Sequence, residues 1–323
     1  MSTPKRSGPW SRWVARCSKV ERGDTLAAVR IAVGLAVLVN VGSAIVAGVP
    51  EFAWFGLEHG GIHTRRSELL PWFVRMLGGP TPSAVWATLA ATCVAGLAVL
   101  VGWQHRIAAL VAGQGLVALR MLHPHASGSY DPLMTNVLWL LVLCDASATA
   151  SLRCRLKTGA WTSEQPVAAW PRYVLVFQLT LIYTMAGIQK VSASWMPWDR
   201  SALYNILQMP AWSRFDMQWL AHPLPYALSE LATVAVWTFE VSWPLLLLSL
   251  ILGRPAPASA GLVRRALARF DLRWVYGGFG LLMHLGIAVL MVVGPFHWAM
   301  AAYYLALFRP DELRTGPPTS RSG

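Results

Sequence analysis

The chain has 323 residues, of which 55% are hydrophobic and 13% charged, with a net charge of +12. A soluble domain of this length carries about 25% charge, so this charge share and the mean hydropathy of +0.45 place the chain among integral membrane proteins. The basic excess could suggest a nucleic-acid partner, but lysines and arginines gather between apolar runs of about 20 residues, as the positive-inside rule requires, which argues against one.

In residues 1–24, Trp10, Trp13, Val14, Cys17 and Val20 recur at helical spacing, with Arg12, Arg16, Lys19 and Arg22 between them. The pattern fits either a short helix on the cytoplasmic membrane surface or a basic tail without structure. It does not fit a cleaved signal peptide, because the basic region is too long and no small-residue cleavage site follows. A first span is predicted over Leu26–Val49, N-capped near Asp24-Thr25, with Arg30 one turn inside, either snorkelling or paired inward. Residues 50–83 open with FGLEHGG (55–61), and Leu69, Leu70, Trp72, Phe73, Met76 and Leu77 then predict an interfacial helix outside the membrane. His59 and His63 have the i,i+4 spacing of a helical metal pair, but the glycines between them and the lack of a third ligand argue against a metal site. Cys17, Cys93, Cys144 and Cys154 form no CxxC pair, so no disulfide framework is implied.

The second and third spans are predicted over Ala84–Val101 and Ile107–Met121, joined by a tight turn at Gly102–Arg106. A short outer loop (123–132) leads to a fourth span, Pro132–Thr149, which ends near Asp145. The basic loop 150–172 precedes a fifth span at Pro171–Val191. Residues 192–229 mix Trp195, Trp198, Trp212, Trp219, Tyr204 and Tyr226 with four prolines, which fits an aromatic belt on the outer leaflet or the lid of a pocket. The sixth span, Leu228–Leu252, carries Glu240 four residues before Pro244, and the basic loop 253–273 follows. The seventh, Trp274–Val293, has His284 near its centre. The last run, Phe296–Phe308, is short for a crossing and reads as a thin span or a re-entrant half-helix. The expected fold is thus an all-α polytopic bundle of about eight transmembrane helices with a cytoplasmic N-terminus. Residues 1–24 precede a membrane domain over 25–310, and a disordered tail occupies 311–323.

Within the fifth span, at about 100° per residue, Thr180, Tyr183, Gly187 and Lys190 share one face, and Gln178, Met185 and Gln189 lie on a neighbouring one. Lys190, near the outer end, either snorkels to headgroups or belongs to a site. Lys190, Glu240 and His284 come from three helices, and ionisable groups at membrane depth are kept when paired or used. An acid, an amine and an imidazole suit proton handling, or a buried pair that cross-links helices.

At these residues the chain resembles a known family. IYTMAGIQKVSASW (182–195) is similar to the HTTM (horizontally transferred transmembrane) domain, the membrane portion of the vitamin K-dependent γ-carboxylases and of many bacterial relatives. The family stretch has a tyrosine, Ala-Gly, paired lysines and a following tryptophan. Its second lysine, the base that deprotonates a hydroquinone, falls on Lys190, and its first is replaced by Gln189. FGLEHGG, TFEVSWP (238–244) and MHLGIAVLMVVGPF (283–296) extend the likeness over roughly residues 22–310, with His284 matching a family histidine. Alignment back from Asp145 puts Tyr130 where the carboxylases have a catalytic-site histidine.

The resemblance implies Lys190 as base with His284 and Glu240 in support, and Tyr183, Gln189, Trp195 and Tyr130 around a reduced quinone or another lipid-like molecule. The luminal domain that holds the peptide in the carboxylases is missing after residue 310, so glutamyl-protein carboxylation is not expected. A multi-pass protein of the bacterial plasma membrane is implied. Two other roles are weighed beside the enzyme. One is a non-catalytic partner in maturation or export of a small peptide, as HTTM proteins serve in peptide-toxin maturation. The other is a transporter, which the lack of inverted repeats disfavours.

Overall fold

The computed structural model describes residues 8–62, 70–123, 128–196, 199–252, 261 and 270–313. Two compact units emerge, Met1–Tyr173 with Phe308–Gly323, and Val174–Leu307. Apart from one two-stranded ribbon, the regular structure among the described residues is helical, as the apolar runs require.

In the first unit, helix α1 (Pro9–Cys17) realises the amphipathic segment and leaves Trp10 and Val14 exposed. It stops before Val20, because Val20–Arg22 forms strand β1, paired antiparallel with β2 (Pro166–Ala168). Three ion pairs hold the ribbon in place. Arg172 grips Glu21 through two parallel bonds of 2.8 and 2.7 Å, and Arg22 bridges Asp24 at 2.9 Å and Glu164 at 3.0 Å.

Helix α2 (Asp24–Val46) carries its one acid in the first turn, where the helix dipole favours negative charge. After it, His59 ends a short turn (Leu57–His59) closed by Gly60 at φ 84°, so no α-helix carries the histidine spacing, and His63 lies outside the described residues. Of the predicted interfacial helix, a short α3 (Trp72–Met76) forms, with Trp72 and Met76 exposed; Leu69 lies outside the described residues.

Helix α4 (Pro82–Val101) starts on a Thr81 side chain that accepts from the Ala84 amide at 3.2 Å, with proline at its first position. The Thr88 and Thr92 hydroxyls fold back onto carbonyls one turn earlier, each at 2.7 Å, which satisfies them inside an apolar helix. Gly102 ends α4 at φ 71°, in the left-handed region, with the Arg30 guanidinium and Ser151 against the face where a side chain would stand. Helix α5 (His105–Leu122) follows the predicted tight turn.

Helix α6 (Tyr130–Leu143) ends well before Thr149, which corrects the fourth predicted span. Residues 144–151 form a turn instead, because their carbonyls are taken by side chains: Cys144 by His105 (3.0 Å) and Arg106 (3.3 Å), Ala146 and Ala150 by Arg30 (3.0 and 2.5 Å). Helix α7 (Leu152–Thr158) then starts on the Ser151 hydroxyl, which accepts from the Cys154 amide at 2.9 Å.

The second unit takes up helix α8 (Trp170–Ile188) from Val174 onward, then α9 (Ala202–Leu207), α10 (Pro223–Leu252), α11 (Leu272–Leu290) and α12 (Phe296–Tyr304). The aromatic-rich segment before α10 folds onto the end of α11. Arg214 donates its amide to Leu290 (2.9 Å), Val292 donates to Trp212 (2.8 Å), and Leu207, Met217 and Leu220 pack with Leu290 and Met291. Trp212, Phe215 and Trp219 remain about half exposed at its surface, while Trp198 and most of loop 253–273 lie outside the described residues.

Among the described residues, four helices, Asp24–Val46, Pro82–Val101, Pro223–Ile251 and Leu272–Leu290, are long and apolar enough to cross a membrane. Tyr130–Leu143 is apolar but shorter, and α12 is only 9 residues.

Arg30 is fully buried and spends its donors on four carbonyls: Val99 (2.7 Å), Leu100 (2.6 Å), Ala146 and Ala150. It therefore pairs inward rather than snorkelling. Replacing it with leucine strands those acceptors and should cost about 3 kcal/mol or more, read as a lower thermal midpoint in detergent. Lysine should not restore the midpoint, since one ammonium has neither the fork nor the donors for four carbonyls.

Candidate functional site

The polar residues predicted on the fifth span do share a face. Thr180, Tyr183 and Gly187 are buried along α8 and Lys190 follows just past its end, half-buried, while Met185 and Gln189 on the neighbouring face are exposed. Lys190 does not reach out to solvent: its Nζ donates to Glu240 Oε2 at 2.5 Å, and Nζ lies 4.9 Å from the centre of the Trp195 ring. The Glu240 side chain is 8% exposed and that of Lys190 22%. The pair is thus an ion pair capped by an aromatic face, on the edge of the protein interior.

Gly187 makes the pair possible. A Cβ there would meet the Glu240 Cβ and the Val241 backbone at 3.0 Å, so glycine lets α8 and α10 approach backbone to backbone between Tyr183 and Lys190. Pro244 adds a second local cause. Lacking an N–H, it cannot bond the carbonyl four residues earlier, which is that of Glu240. Residue 240 therefore joins a buried carboxylate to a main-chain oxygen freed from the helical ladder.

Two turns before Lys190, Tyr183 stands at the centre of a second cluster. Its ring stacks on Trp243 (centroids 4.7 Å apart, planes 10° from parallel) and meets Phe239 edge-on at 5.1 Å. Its hydroxyl lies 2.6 Å from His284 Nε2 and accepts from Tyr304 at 2.5 Å. With Tyr304 donating to Tyr183, the Tyr183 hydroxyl donates onward to Nε2, and His284 then carries its proton on Nδ1. Gly280 gives Tyr304 its room, because a Cβ there would overlap the Tyr304 hydroxyl. Tyr276 closes the cluster, packing edge-on against Trp243 at 5.2 Å and donating to the Ser242 carbonyl at 2.8 Å.

Two buried donors in this cluster, Trp243 Nε1 and His284 Nδ1, have no hydrogen-bond partner among the described residues. Both are N–H groups, and a buried N–H without an acceptor costs about 1–3 kcal/mol. Their complement is an oxygen acceptor: a carbonyl, a phenolate or a water.

Of the residues singled out in sequence, Lys190, Glu240 and Trp195 meet in one group, and Tyr183 with His284 in the other. Gln189 points away as an exposed residue, and Tyr130 belongs to the first unit, half-buried at the start of α6. Trp243, Tyr304 and the two glycines were not foreseen as part of the site. A readable signal existed for Tyr304, a hydroxyl inside the apolar run of α12 that needs a partner.

Gly187→Ala should part α8 from α10 and destabilise the chain by about 1–3 kcal/mol, measured as a drop in detergent melting. Gly280→Ala should act through Tyr304 and be partly relieved by Tyr304→Phe, which removes the overlapping hydroxyl.

Comparison with known families closes the description of this region. The family model described as the HTTM domain matches residues 20–249. No curated protein matches the chain, and no solved structure does.

Proposed function

The chain belongs to the HTTM domain family, and from that premise we propose that the Lys190–Glu240 pair and the Tyr183 cluster together form a proton-transfer site for a lipid-like molecule. The observation that carries the reading is the 2.5 Å contact between Lys190 Nζ and Glu240 Oε2 on the face that also presents Tyr183. Passage of the proton from Nζ to Oε2 leaves a neutral amine beside a neutral carboxylic acid. The amine is then a base, and Glu240 holds the displaced proton until it is returned.

A reduced quinone is the ligand class that the resemblance implies. The residues fit it, because Trp243 Nε1 and His284 Nδ1 are buried donors in want of an oxygen acceptor. Trp243 and His284 would hold its oxygens, and when bound it would supply an acidic hydroxyl. The Tyr304–Tyr183–His284 chain fixes which imidazole nitrogen bears the proton, and Trp195 shields the Lys190 ammonium from water. Carboxylase-like chemistry stands at this level of proton abstraction.

The family and the four apolar helices make this a multi-pass membrane protein. We extend that to eight crossings of a bacterial plasma membrane with the N-terminus inside, supported by the six lysines and arginines of residues 1–24 and the four of loop 150–172. On this topology a cysteine at Ala160 is shielded from an impermeant thiol reagent in intact cells and one at Asp216 is labelled. The reverse pattern rejects the orientation.

Function is tested at Lys190. Lys190→Arg keeps the charge but cannot be deprotonated at accessible pH, so it should abolish activity at unchanged membrane abundance, and quinone extracted with the purified wild-type chain should be seen by mass spectrometry. Lys190→Met alone should cost about 3–5 kcal/mol by stranding Glu240. The Lys190→Met/Glu240→Leu double variant should regain most of that stability without regaining function. A functional double variant would make the pair a structural cross-link and favour the non-catalytic partner role.

A further inference from the structure

We propose that the cavity where the end of α4, the start of α5 and helix α7 meet, all in the first unit, holds the phosphate headgroup of an anionic phospholipid. The cavity measures about 510 Å³, a volume within the range of ligand sites. Arg106, Arg153 and Lys157 line it together with Trp103 and Leu156. Among the described residues, the one carboxylate engaged with these cations is Asp145, which takes Arg153 at 2.6 Å. Arg106 and Lys157 have no carboxylate partner among the described residues, so the cavity carries an excess of positive charge.

Two of these cations, Arg106 and Arg153, differ from a solvated basic face in being anchored. Arg106 is held through Nε by the Cys144 carbonyl at 3.3 Å, which leaves the outer nitrogens of its fork free to donate. Arg153 is held by Asp145 and, at 3.3 Å, by the Ser147 hydroxyl. The same turn is locked from beneath by buried His105, whose two ring nitrogens meet the Cys144 carbonyl at 3.0 Å and the Ser147 hydroxyl at 2.7 Å. The guanidinium positions are thereby fixed before any anion arrives, which lowers the ordering cost of binding.

Depth and rim select a lipid rather than a soluble phosphate. Helix α4 is one of the four helices able to cross a membrane, and the cavity begins directly at its C-terminal end, the level of the headgroups. Trp103 and Leu156, 53% and 71% exposed, border it with apolar surface that a free phosphate has no use for and that acyl chains and glycerol cover.

The test uses the full chain, delipidated in detergent and titrated with phosphatidylglycerol or phosphatidylcholine under native mass spectrometry. Phosphatidylglycerol should be retained in preference. Arg106→Gln/Lys157→Gln, which spares the Arg153–Asp145 pair, should weaken that retention about 30-fold, from the loss of two interfacial cations. Equal retention of phosphatidylcholine, an unchanged affinity in the variant, or displacement of the lipid by millimolar inorganic phosphate would each overturn the proposal. Should the variant fail to fold, a photoactivatable phosphatidylglycerol on the unaltered chain decides. Cross-links within 103–106 or 153–157 support the site, and cross-links confined to other segments reject it.

Discussion

A hydrocarbon solvent offers no hydrogen bonds, so each polar group that enters it must find its partner within the protein. Arg30 meets that demand without an acid: its charge is spread over four main-chain carbonyls drawn from the end of α4 and from the turn after α6. The same demand explains the threonines of α4 folded back on their own helix and the main-chain carbonyls of residues 144–150 taken by arginine and histidine. In the second unit it explains why Lys190 meets Glu240 and why three side chains line up as Tyr304, Tyr183 and His284. Among the described residues the demand is left unmet at several buried atoms, and two of them, Trp243 Nε1 and His284 Nδ1, fall in the one Tyr183 cluster.

The positions of the helices were largely legible, because an apolar run bounded by proline, glycine or charge has few alternatives to a helix in a membrane protein. Boundaries failed where side chains compete for the backbone. The run CDASATA is apolar enough to continue α6, yet the helix stops at Leu143 because Arg30, His105 and Arg106 claim the carbonyls that follow. Nothing in the local sequence of 144–150 announces donors that are distant along the chain.

The site was legible in half its members. Lys190, Glu240 and His284 stood out because charge and imidazole are rare at membrane depth. Helical periodicity correctly put Lys190 on the Tyr183 face and Gln189 off it. That Lys190 would meet Glu240 rather than His284 depends on how α8 crosses α10, which Gly187 sets by its lack of a side chain. Trp243 was invisible because an aromatic at helical spacing looks the same whether it fills space or lines a site, whereas the Tyr304 hydroxyl in an apolar run was a signal that named no partner.

The Arg30 arrangement also bears on how the chain is made. The guanidinium lies in α2, whereas its acceptors are 69 to 120 residues further along the chain. At about 5–20 residues per second, between a few and roughly 20 seconds pass before those carbonyls exist. Throughout that interval the nascent α2 carries an unsatisfied cation, a burden of at most about 2.5–3.5 kcal/mol, the insertion-scale value for a helix centre, because Arg30 lies nearer the helix end. Its long apolar run tolerates the burden only until α4 and the turn after α6 arrive. The final seating of the Arg30 guanidinium therefore waits for carbonyls as late as that of Ala150, translated after α4 and α6.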